Sequence, residues 1–307
     1  MNTQSNAKPE SFQAQSVAAA RLSETHPLYW SVRRELWENR YLYIAPIAVG
    51  ALFLFGYVVS STPIFHHRHD SLMVPGEQSH TLMFFDFVAG LLMLTGMIVG
   101  AYYCLEAFQG ERRDRSILFW KSLPVSDATI VLSKASVPLL ILPVVAFAVT
   151  FVTQFAMLLW RSAMWAAHGQ SVAVLWSEVS FLQISILMLY HMFAVHSLAH
   201  APFYSYFLLV SAWARRAALL WAVLPVIAVI GLESLLFNSS HFWKLLLDLL
   251  GGAGMDSITM PGKMPVDPST HLTPIRFLTS GGLWLGLAFT AACLYGAVRL
   301  RRSRGPQ

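Results

Sequence analysis

Residues 41–61 read YLYIAPIAVGALFLFGYVVSS, an apolar run without one acidic or basic side chain. At a rise of about 1.5 Å per residue, a helix over this run is about 30 Å long, the thickness of a bilayer's hydrocarbon core. A helix that is apolar on every face must be buried on every side, in the core of a large protein or in a membrane, and five further runs like it are too many for a core of this size. The stretch therefore sets the class as an all-α integral membrane protein.

Working outward, five more runs meet the same test: Leu82–Leu105, Ile130–Trp160, Phe181–Leu209, Ala217–Phe237 and about Gly281–Leu300. The third and fourth are longer than one crossing needs. Tilt, kinks at Pro138, Pro143 and Pro202, or extension beyond the bilayer can each absorb the excess. Composition agrees: 56% of the 307 residues are hydrophobic and only 12% charged, against roughly 25% charged in soluble domains. The two cysteines, Cys104 and Cys293, sit in apolar runs and read as packing residues.

With an even number of spans, both ends lie on one side. If that side is the cytoplasm, sixteen of the 21 lysines and arginines fall on it, among them Arg33, Arg34, Arg40, Lys134, Arg215 and Arg301. The outer segments keep Arg68, Arg161, Lys244, Lys263 and Arg276. The positive-inside rule favours this orientation. It also accounts for the net charge of +5 without nucleic acid as a partner. Residues 1–25 lack the apolar core of a signal peptide and read as a disordered cytoplasmic tail. Residues 26–40 form an amphipathic helix, 41–300 the six-span domain, and 301–307 a basic cytoplasmic tail.

Three segments are not simple spans. In the helix at 26–40, Leu28, Tyr29, Val32 and Leu36 recur at helical spacing while Arg33, Arg34, Glu35 and Glu38 take other faces. Pro27 suits a first turn, and the pattern fits a helix lying in the membrane interface. The loop after the second span carries mixed charge, Glu111, Arg112, Arg113, Asp114 and Arg115, and then an aromatic knot, Ile117-Leu118-Phe119-Trp120, followed by Lys121. Leu123-Pro124 stops the chain, and Ser126 or Asp127 can cap the next helix. An aromatic cluster framed by charges suits a docking surface; a short helix resting on the membrane is the plainer alternative. After the fifth span, Ser240–Leu250 predicts a helix of about ten residues, too short to cross and therefore interfacial or re-entrant on the outer side.

Few ionisable groups lie within the spans, and such groups are functional candidates by default. Asp86 stands near the outer start of the second span, Glu106 at its inner end beside the charged loop, where an arginine can pair with it. Glu233 lies near the outer end of the fifth span, placed to line a vestibule or to cap the following helix. His191, His196 and His200 share the fourth span. The last two lie at i,i+4, but on a regular helix His191 is about 140° from His196, so the three do not converge. There is no His-Glu-x-x-His pattern, and a metal site needs further ligands. Metal binding is the minority reading for these histidines, behind packing, interhelical hydrogen bonding and pathway lining. The outer run His66-His67-Arg68-His69-Asp70 reads as a solvated loop.

The stretch Glu111–Leu118, continuing Phe119-Trp120-Lys121-Ser122-Leu123-Pro124-Val125-Ser126, resembles the bacterial ABC-2 type (type V) transporter permeases. Leu208–Arg216, LLVSAWARR, resembles a subgroup of the same family. The resemblance implies the membrane subunit of an ATP-binding cassette exporter in the bacterial inner membrane. Two permease chains would pair as a homodimer, each against a separate cytoplasmic ATPase that binds ATP and Mg. This chain would then hold no cofactor and catalyse nothing itself. Residues 26–40 would be the elbow helix. Glu106 and the stretch holding Glu111, Arg112, Arg113, Arg115, Ile117, Leu118, Phe119, Trp120 and Lys121 would couple to the ATPase. Phe242, Trp243, Leu246 and Leu250 would belong to an outer gate, with Asp86, His191, His196 and Glu233 as pathway candidates. The sequence has no Walker A motif, since Gly262-Lys263 is followed by Met264 and lacks the upstream glycine. A membrane-embedded enzyme using the fourth-span histidines, and a channel or structural protein, are the competing classes.

Overall fold

The computed structural model describes residues 27–62, 77–113, 125–250 and 277–303. About 89% of these are helical, and none is in a strand. Six helices are long and apolar enough to cross a membrane: Tyr41–Ser60, Met83–Arg113, Asp127–Ala167, Val172–Ala199, Ala218–Phe237 and Gly281–Ser303. The chain is a multi-pass membrane protein.

Helix α1, Pro27–Glu38, begins on the proline expected at a first turn and ends where the Asn39 side chain donates to the Glu35 carbonyl at 2.9 Å. Arg40 turns the chain directly into α2, Tyr41–Ser60. Helix α3, Glu77–Glu106, returns across the bundle, turns at Ala107 and Phe108, and continues as the short α4, Gln109–Arg113. Helix α5, Asp127–Ser136, is capped by Ser126, whose Oγ accepts from the Thr129 amide at 3.1 Å. Of the two caps the sequence offers, the serine serves.

The long third run is one helical path with an irregular joint. A π turn, Val137–Ile141, separates α5 from α6, Leu142–Ala167, and Pro138 lies inside it. Proline cannot donate to the helical ladder and its ring crowds the preceding turn, so the wider turn relieves what a regular helix could not. Pro143, by contrast, lies in the first turn of α6, where it is tolerated.

The fourth run differs more from a single rod. Helix α7, Val172–Val179, is set off by Ser180 in the left-handed region (φ 46°). Helix α8, Phe181–Tyr190, passes into a second π turn, His191–His196, then α9, Ser197–Ala199. The path breaks at His200 and resumes as α10, Ala201–Trp213, with Pro202 in its first turn. The break that Pro202 suggests is real, and it lies at His200, so that the proline, which has no N–H to donate, falls in the first turn of the resumed helix, where none is needed. Helices α11, Ala218–Phe237, α12, His241–Leu250, and α13, Gly281–Ser303, complete the described chain.

Lipid gives helices no hydrophobic reason to associate, so close packing must hold them. Glycine does this at two crossings. A Cβ at Gly50 would lie 2.8 Å from Val149 Cγ1, and one at Gly100 would lie 2.9 Å from Tyr204 Cε1. One buried cluster joins α2, α3, α6 and α8 through Tyr57, Phe85, Leu92, Met157, Ile184 and Met188. Another joins α2, α3, α5, α10 and α13 through Leu42, Tyr103, Val131, Tyr204, Leu208 and Ala297. Cys104 and Cys293 are free and buried, as packing residues should be. Helix α11 stands apart, with only 6% of its most apolar window buried.

Candidate functional site at the base of the bundle

The start of α2, the end of α3, the start of α5 and the ends of α10 and α13 meet at one end of the bundle. Here the chain buries charge. Lys134 Nζ, on α5, lies 2.9 Å from Glu35 Oε1 on α1 and 3.2 Å from Glu111 Oε1 on α4. Arg301, on α13, reaches Glu111 Oε2 at 2.8 Å and Asp127 Oδ1 at 2.9 Å. Arg34 adds contacts to Glu35 at 3.5 Å, Glu111 at 3.6 Å and Glu38 at 2.9 Å. The Tyr103 hydroxyl donates to Glu35 Oε2 at 2.8 Å. Lys134, Glu35, Glu111 and Arg301 each expose under a tenth of their side chains.

Burying ions is expensive, and a buried pair is tolerable only where opposite charges and hydrogen bonds replace the lost water. The junction meets that condition by interleaving: each carboxylate touches at least one cation, and each of the two buried cations touches two carboxylates. The ring of Phe108 completes the packing, with Lys134 Nζ 5.5 Å and Arg301 Cζ 5.7 Å from its centroid. Those separations let the ring face favour both cations.

A second set of bonds fixes α4 to the end of α10. The Arg112 guanidinium donates to the carbonyls of Ala212 at 2.9 Å, Ala214 at 2.8 Å, and Ser211. It satisfies acceptors that the helix end leaves without partners. Ser211 Oγ donates to the Leu105 carbonyl at 2.7 Å and accepts from the Phe108 amide at 3.1 Å. The Gln109 side chain accepts from the Ala218 amide at 3.3 Å, steadying the left-handed Ala217 (φ 52°) that opens α11. Arg112, in the described start of the first stretch singled out in the sequence, thus joins it to the second, Leu208–Arg216.

The sequence-expected residues are distributed unevenly over this junction. Glu111 and Arg112 stand at its centre, and Arg113 is exposed at its rim. Glu106, expected to pair with an arginine, has no arginine partner among the described residues; Glu111, one and a half turns on, takes that place. Arg115, Ile117, Leu118, Phe119, Trp120 and Lys121 lie outside the described residues, as does His66–Asp70. Sequence reasoning missed Glu35, Lys134, Arg301, Tyr103 and Ser211. Lys134 carried a signal, since an ammonium inside a run that becomes helix needs a carboxylate from elsewhere.

At the other end of the bundle Glu233 caps the expected outer helix. Its Oε1 accepts from Ser239 Oγ and from the His241 amide, each at 2.7 Å, and its Oε2 accepts from the Phe242 amide at 2.9 Å. The carboxylate thus satisfies amides at the start of α12 and lies where a helix N-terminus favours negative charge. Asn238 in the left-handed region (φ 45°) makes the sharp turn. Phe242 and Leu246 are half-buried, Trp243 is exposed and lines a shallow groove with Ile227, Ile230 and Ser234, and the Leu250 side chain lies outside those described. Glu233→Ala is expected to free α12 while leaving the bundle intact. Hydrogen exchange should rise at the amides of 239–246 and nowhere in α2 or α3; unchanged exchange at those amides would count against the cap.

The histidines lie on an irregular stretch of the fourth span. His191 and His196 begin and end the π turn, whose i→i+5 bonding sets residues five apart about one turn apart. All three histidines are buried. The rings of His196 and His200 are 4.8 Å apart, and the Tyr204 hydroxyl lies 3.3 Å from His196 Nε2. The π turn lessens the divergence calculated for an ideal helix. Even so, no set of three or more His, Cys, Asp or Glu among the described residues is placed to hold a metal ion. Asp86 is half-buried in α3. Comparison with protein-family profiles, curated proteins and solved structures returned no match for this chain.

Proposed function

We propose that this chain is the membrane-spanning, permease-type subunit of a bacterial ABC exporter of the ABC-2 class, set in the inner membrane with both ends in the cytoplasm. One observation carries the reading. Arg301 grips both flanks of the intervening segment 114–124, through Glu111 before it and Asp127 after it. Force applied to that segment reaches α13 directly through Arg301. It reaches α1 through Lys134 and Glu35, and α10 through Arg112. An aromatic knot set between two clamped flanks is suited to receive motion from a cytoplasmic partner and pass it to several spans at once.

In this reading the partner is an ATPase that binds ATP and Mg, and the segment carrying Phe119 and Trp120 seats in it as the coupling helix. Helix α1 acts as the elbow, α12 belongs to the outer gate, and a second copy pairs with the chain. The apolar spans suit an amphipathic cargo. The Phe119→Ala/Trp120→Ala double variant tests the proposal. It should insert at wild-type levels but fail to retain an ATPase through affinity purification, with transport lost in parallel. Normal assembly and transport in that variant would remove the coupling role, and with it the main support for the exporter reading.

A further inference from the structure

Helix α1 has two faces with different fates. Glu35 is buried in the charged junction, and Arg34 is held by Glu35, Glu38 and Glu111. On the other side Trp30, Arg33 and Trp37 follow at i, i+3 and i+7, one stripe of the helix. Both indoles are exposed, at 55% and 69%, and the Arg33 guanidinium lies between them, 5.3 Å from the Trp30 ring centroid and 4.9 Å from that of Trp37. Tyr29 meets Trp30 edge-on at 5.5 Å and extends the aromatic surface. Among the described residues no carboxylate pairs with Arg33.

We infer that the Trp30–Arg33–Trp37 stripe is a binding site for the phosphate of an anionic phospholipid headgroup. The placement follows from the chain: Trp37 stands four residues before Tyr41, where the first span begins, so the stripe lies at headgroup depth. Tryptophan prefers that layer because its ring is apolar and its N–H is polar. The rings also restrict the guanidinium, so less freedom is lost when its planar N–H fork meets phosphate oxygens. A cation with no carboxylate partner among the described residues, at the surface of a bilayer, is complemented by the bilayer's own anions. The same helix carries Glu35 into the junction, so lipid charge on one face bears on the network at the other. The inference requires only that α1 lies on the membrane; it does not depend on an ATPase partner.

The test uses the purified full chain in micelles holding equal amounts of phosphatidylglycerol and phosphatidylcholine, with retained lipid counted by native mass spectrometry. Phosphatidylglycerol should be enriched about fivefold, the factor expected of one interfacial arginine. Arg33→Gln should bring the ratio close to one, and Arg33→Lys should keep only the part of the preference that charge alone supplies. Trp30→Leu with Trp37→Leu should reduce it while leaving the charge in place. A wild-type chain without preference, or an Arg33→Gln chain that keeps it, would overturn the site. Displacement of the lipid by inorganic phosphate would also overturn it, by showing a free-anion site.

Discussion

Lys134→Met is expected to cost about 3–5 kcal/mol, the usual range for removing one partner of a buried ion pair. The ammonium contacts Glu35 at 2.9 Å and Glu111 at 3.2 Å, with 3% of the side chain exposed, so solvent does little to screen the loss. Methionine fills similar volume, which separates the effect of charge from that of a cavity. Among the contacts described, Glu35 would keep Tyr103 and Arg34, and Glu111 would keep Arg301 and Arg34. The variant should melt markedly earlier in detergent and elute from size exclusion as a broadened peak. Adding Glu35→Gln should recover part of the loss, because one buried charge is removed with its partner. A single variant that melts like the parent would show the network to be hydrated and weak.

Arg112→Ala should be nearly as damaging, at about 2–4 kcal/mol. Each charge-assisted hydrogen bond contributes about 1.5–3 kcal/mol, and bonds that share one donor group do not add in full. The carbonyls of Ser211, Ala212 and Ala214 would all lose this donor together. Arg112→Lys should rescue little, since a point cation cannot span three acceptors as a planar fork does. Hydrogen exchange should rise across 214–220, where the chain leaves α10 and enters α11. A lysine variant matching the parent in exchange and melting would mean that charge near the helix end, and not the fork, is what matters.

The spans were legible because lipid imposes one simple rule, a run of about twenty apolar residues, and sequence carries that rule openly. The cap at Ser126, the proline start of α1 and the helix at His241–Leu250 were legible for the same reason: each depends on neighbours a few positions away. The π turns were not. Their signal is one residue of excess within an apolar run, and a run that is apolar all round has no periodicity for that excess to disturb. The base junction was hidden for another reason. Glu35 and Lys134 are 99 positions apart, and Ser211 and Leu105 are 106 apart. A single sequence shows that charges are present; only the folded chain shows which of them meet. Glu233 lay between these cases, since its helix-capping role could be named from the turn that follows it.

The longest-range contact described at the junction joins Glu111 to Arg301, 190 positions later. On the ribosome Glu111 emerges long before α13, the sixth of the spans described. Until α13 inserts, the carboxylate lacks the guanidinium that donates to its Oε2, and Asp127 waits for the same side chain. Arg301 therefore makes insertion of α13 a condition for a neutralised junction at that end of the bundle. A bundle stopped short of its last helix would present incompletely neutralised charge to the machinery that surveys membranes for unfinished proteins.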